Sequence, residues 1–97
     1  RTACAIVDEI LYAVINVVNM LDSVSDKLCP CAAHNAAAAI VAAQCALDTA
    51  RIQLAWRASQ MNEEIYARTT RREPEIAIEG IKPTMDALLQ KFEDMIK

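Results

Sequence analysis

Residues that interrupt a helix are almost missing from this chain. Its 97 residues include one glycine, Gly80, and three prolines, Pro30, Pro74 and Pro83. With so few turn formers the backbone has few places to reverse, which excludes a fold of many short elements and leaves a small number of long ones. Histidine occurs once, as His34, and nothing beside it in sequence supplies a serine nucleophile or an orienting carboxylate. There is no glycine-rich phosphate loop and no HExxH zinc helix. No enzyme is expected, and no cofactor.

A charge excess of either sign is also missing. The net charge of −3 gives no field that draws in nucleic acid or an anionic membrane. A local basic excess gathers in Arg51, Arg57, Arg68, Arg71 and Arg72, but Asp48, Glu63, Glu64 and Glu73 are interleaved with it, so nucleic acid is not an expected partner. The longest mostly apolar run, Ile10 to Leu21, is about half of what a bilayer core requires and contains Asn16 and Asn19. No membrane span is expected, and membrane contact ranks below contact with protein.

What is present is apolar and periodic. Hydrophobic residues make up 55% of the chain and aromatics 4%. Much of the apolar content is alanine, which fills space poorly, so a core has to come from close helix approach. The length suits one domain, residues 1 to 97. Val7, Ile10, Val14, Val17, Leu21, Val24 and Leu28 recur at alternating steps of three and four, predicting a helix from Thr2 to Leu28. Asp8, Tyr12, Asn16, Asn19, Ser23 and Asp26 fall opposite. Ile6, Leu11, Ile15, Val18 and Met20 widen the apolar sector well past the ~100° stripe of an ordinary surface helix, so this helix must be covered from more than one direction. Cys29 and Pro30 close it, and the Asp22 to Asp26 stretch can bend into a separate short turn.

A second helix is predicted to begin at Pro30, or after Asn35 as an N-cap, and to run to Arg72 or Glu73 ahead of Pro74. Its length of about 37 residues corresponds to roughly 55 Å. One face carries Ile40, Leu47, Leu54, Met61 and Ile65, with Ala36, Ala43, Ala50 and Ala58 beside them. A second apolar line, Val41, Cys45, Ile52 and Trp56, lies about 150° away and is the candidate interface. The third segment keeps phase at Ile78, Ile81, Met85, Leu88, Phe92 and Met95. The preferred reading is a short turn followed by a helix from Pro83 or Thr84; one helix from Pro74, kinked at Pro83, is the alternative. These elements predict an all-α antiparallel helical bundle of about three helices, two long and one shorter.

Cys29-Pro30-Cys31-Ala32-Ala33-His34 is the one cluster of metal-capable side chains. It offers three ligands at a spacing that matches neither a Cys-x-x-Cys motif nor a haem attachment site, and no metal is expected there. Disulfide formation is the expected use of Cys4, Cys29, Cys31 and Cys45, although the pairing is awkward. In a tight hairpin turning near residues 30 to 34, Cys4 sits ~36 Å below the turn and Cys45 only ~17 Å below it. A bond between them needs the first helix to end near Asp22; a bond between chains is the other route. Cys29 with Cys31 is cramped, and Cys45 can instead remain reduced as a small apolar residue.

Four cysteines and an Arg1 start point to a mature secreted chain of the effector or toxin kind. A helical scaffold domain of a larger cytoplasmic protein, or a membrane-active helical bundle, fits the same stripes. The two apolar faces of the second helix predict action through protein contact, by self-association into an oligomer or pairing with another chain, with Trp56 as the marker of the contact surface.

Overall fold

The computed structural model describes residues 2–97, with side chains described from Ala5 onward. Helix α1 spans Thr2–Val24, a stretch with no glycine or proline. At its end the hydroxyls of Ser23 and Ser25 donate to the carbonyls of Met20 and Asp22 at 2.7 and 2.9 Å, a local bonding pattern that competes with helix continuation. The chain tightens into a 3-10 turn, Ser25–Lys27, and Leu28 and Cys29 are extended. Cys29 has the conformation that a following proline imposes. Pro30 opens a second 3-10 turn, Pro30–Ala32, in the first-turn position where its missing N–H is no loss. This turn passes directly into α2, Ala33–Ser59. The predicted separate turn after Asp22 is therefore present.

The expected long second helix is not. α2 ends at Ser59, the N–H groups of Gln60 and Met61 donate to the carbonyls of Arg57 and Ala58 at 3.0 and 3.1 Å, and Glu63 is extended. α3 then runs from Glu64 to Ile96 as the longest helix, 33 residues, with Pro74 and Pro83 both inside it. This overturns the expectation of a shorter third helix starting near Pro83. A proline in a helix interior costs about 3 kcal/mol, and the apolar line that stays in phase on both sides of Pro83 offsets that cost by burial. Ser59, whose hydroxyl donates to the Trp56 carbonyl, and Asn62 are the only local turn-favouring residues at the break.

The three helices run up, down and up. Lys91 near the end of α3 reaches the far end of α1, donating to the Ser25 hydroxyl at 3.0 Å and pairing with the Asp26 carboxylate. That hydrogen bond and the lysine charge hold the Asp26 carboxyl below its usual range. The long axis measures 51 Å, matching the ~50 Å expected of a 33-residue helix. α2 packs most extensively on α3, less on α1, while α1 and α3 touch least.

The core face of α2 is the predicted one. Ile40, Leu47 and Leu54 are buried with Ala36, Ala43, Ala50 and Ala58. Met61 is half-buried and Ile65 exposed, because the helix break falls between them and Leu54. From α3, Ile81, Met85, Leu88 and Phe92 are buried. In α1 and the turn that follows it the expected seam holds at Val7, Val14, Leu21 and Leu28, which pack partly buried against the core, and is rotated at the positions between them. Leu11 and Val18 are buried at 1% and 0% exposure, whereas Ile10, Val17 and Val24 are exposed. Both lines satisfy the same three-and-four spacing, so periodicity alone could not choose between them.

One further expectation changes. Pro30–Ser59 is long and apolar enough to cross a membrane by length and composition. The reason is alanine spread around the whole circumference of α2, with no Asp, Glu, Lys or Arg before Asp48.

Candidate functional site

Rotation of the α1 seam leaves a second apolar line facing outward. Ile6, Ile10, Ala13, Val17, Met20 and Val24 follow one another at steps of four and three, and all are exposed. Ile10 and Val17 are each 52% exposed and Met20 67%. At 100° per residue this line sits roughly 110° around the helix from Leu11 and Val18. It borders α2 across a shallow groove lined by Ile10, Ala13, Val14 and Val17 on one side and Ala39, Ala42, Ala43 and Ala46 on the other. The floor is made of methyl groups with no polar side chain. Small residues of this kind leave room for a third helix to lie close against the pair, with the α1 line as a ridge beside it.

The candidate interface Val41, Cys45, Ile52 and Trp56 is exposed along its whole length, on the side of α2 turned away from the core. The Arg57 guanidinium lies over the Trp56 ring, 5.6 Å from its centroid, a cation–π contact. Spacing alone does not mark the α1 line as a contact surface, since it puts Ile10, Val17 and Val24 in the same periodic set as Val7 and Val14. The signal available was the breadth of the apolar sector, too wide for one partner helix.

Of the four cysteines, the side chain of Cys4 lies outside the described residues. Cys29, Cys31 and Cys45 are free thiols, all exposed. Cys45 stands one helical face and fourteen residues from Cys31, a distance of roughly 21 Å along α2. Cys29 and Cys31 are brought together, with sulfurs 2.7 Å apart. The hydrogen bond from Cys31, followed by the backbone N–H groups of Cys31 and Ala32, holds the Cys29 thiol below its ordinary value. No complete capping bond to the Cys29 side chain forms, so these amides act as oriented dipoles at the start of the turn. The same bond raises the Cys31 thiol.

His34 is exposed at the start of α2. Among the described residues no three histidine, cysteine or acidic side chains gather into a set that could hold a metal, so the Cys-Pro-Cys-Ala-Ala-His sequence does not close around an ion. The basic residues are largely engaged locally. Arg51 pairs with Asp48, Arg68 with Glu64, and Arg72 with Glu75 and Glu79, at 3.2 to 3.8 Å, and Arg71 donates to the Ala55 carbonyl at 3.2 Å. A second depression at the α2–α3 turn is lined by Ala5, Asp8, Met61, Asn62, Glu63, Tyr66 and Thr70. It presents carboxylates and a phenol but no thiol or imidazole to serve as a nucleophile with its base.

Comparison with protein-family models, curated proteins and solved structures finds no match for this chain.

Proposed function

We propose that this chain is a non-enzymatic helical protein that acts through protein contact, receiving a helix of a second copy or of a partner chain in the groove between α1 and α2. The observation that carries the reading is the α1 line from Ile6 to Val24. Six consecutive positions at heptad spacing, apolar and exposed beside an alanine floor, make the pattern of a helix seam with one member missing. Soluble proteins rarely leave a contiguous apolar patch of this kind uncovered. The outer line of α2, Val41, Cys45, Ile52 and Trp56, is a separate exposed apolar strip with tryptophan, a residue enriched at contact hot spots. A secreted effector or toxin remains the setting we favour over a cytoplasmic scaffold domain, since four cysteines in so short a chain suit an oxidising compartment.

A second reading, membrane insertion, is favoured by one observation, the all-round apolar character of α2. A single substitution separates the two. Val17→Glu places a charge in the groove without touching the core, and native mass by sedimentation is expected to fall to that of the monomer, or the partner to be lost, with helicity unchanged. If Val17→Glu leaves assembly intact, and Trp56→Ala does the same, the contact reading fails. Leakage of neutral vesicles by wild type at micromolar concentration would then put the membrane reading first.

A further inference from the structure

Cys29 and Cys31 stand at the corner between α1 and α2, on either side of Pro30, and both are open to solvent. Their side chains converge, with the two sulfurs in contact at 2.7 Å. The backbone between them is already fixed. Pro30 has a locked φ, and the turn Pro30–Ala32 is held by the Ala32 N–H donating to the Cys29 carbonyl at 2.9 Å. The two thiols are therefore organised as a pair before any partner arrives.

We propose that Cys29 and Cys31 form a thiol–disulfide exchange site whose substrate is an accessible disulfide, with Cys29 as the attacking thiol and Cys31 as the resolving one. In the first step the Cys29 thiolate, its proton released to solvent, attacks one sulfur of a disulfide R–S–S–R. The Cys29–S–R bond forms, the R–S–S–R bond breaks, and the departing thiolate takes up a proton. In the second step Cys31 loses its proton and attacks the Cys29 sulfur, forming the Cys29–Cys31 bond and releasing the second thiolate, which is protonated in turn. Two thiols of the chain are oxidised by two electrons and one disulfide is reduced to two thiols.

The assignment of roles agrees with the direction in which the corner polarises the pair, toward thiolate at Cys29 and thiol at Cys31. Cys45, on the outer line of α2, is too distant to take part. The inference is independent of the helix-docking groove.

The test uses the full chain, reduced and then exposed to glutathione disulfide, quenched by alkylation and read by intact mass and peptide mapping. Wild type is expected to lose two hydrogens to a Cys29–Cys31 bridge and to retain no glutathione at either position. Cys31→Ser is expected to hold glutathione on Cys29, and Cys29→Ser to load Cys31 several-fold more slowly. Glutathione retained on Cys29 or Cys31 of wild type without a bridge would overturn the proposal. So would equal loading rates in the two variants, or a reactivity of the pair no greater than that of Cys45.

Discussion

α1 and α3 run parallel against α2, yet they treat their outward faces in opposite ways. α3 carries charged residues at twelve of its 33 positions. Its outer surface is laced with pairs such as Arg68–Glu64 and Arg72–Glu75; Ile81, Met85, Leu88 and Phe92 are buried, and its exposed isoleucines, Ile65, Ile76 and Ile96, are scattered along the helix and form no continuous line. α1 has three charged residues, Asp8, Glu9 and Asp22, in 23 positions, and leaves Ile6, Ile10, Val17, Met20 and Val24 exposed. A helix that ends its contacts at one neighbour has the first pattern. The difference lies in continuity: α1 exposes an unbroken apolar line, whereas α3 exposes separate apolar residues among its charges.

The comparison can be broken most forcefully at Phe92. Phe92→Ala is expected to cost about 3–5 kcal/mol in denaturant unfolding; a loss under about 1 kcal/mol would mean that α3 does not close the core and that the contrast with α1 is one of degree. A sharper cut compares adjacent residues on α1. Leu11→Ala should cost about 2–5 kcal/mol and Ile10→Ala less than about 0.5 kcal/mol, both measured at a concentration where the chain is monomeric. The reverse order would restore the seam through Val7, Ile10, Val14 and Val17. A modest effect of opposite sign concerns the solvent face of α3. Gly80 is exposed within the helix, and a Cβ added there meets nothing within 4 Å, so Gly80→Ala should raise stability by about 0.5–1 kcal/mol. A lower melting temperature instead would show that the helix needs its glycine three residues ahead of Pro83.

How much of this was legible in the sequence differs by helix, for physical reasons. The core face of α2 was plain because Ile40, Leu47 and Leu54 are its only large apolar residues on one side, with alanines filling the gaps. The α1 seam was ambiguous because two interleaved lines share the same spacing, and which of them faces inward is decided by the contours of α2 and α3. The phase of α3 is readable across Pro83, but the prolines argue locally for a break that burial of Ile81, Met85, Leu88 and Phe92 overrides. The helix break at Gln60 to Glu63 had no strong local signal. The closeness of Cys29 and Cys31 needed the corner geometry, since neighbouring cysteines in sequence need not have converging side chains.

That unsignalled break has a bearing on how the chain reaches its shape. Gln60, Met61, Asn62 and Glu63 include neither glycine nor proline, and among the described residues none adopts a positive φ. Nothing in the local backbone compels a reversal there. The hairpin is closed instead by the docking of Ile81, Met85, Leu88 and Phe92 onto α2, which must accompany the reversal rather than follow from it. The corner is thus held by tertiary burial between two segments whose local sequence would also allow a single rod.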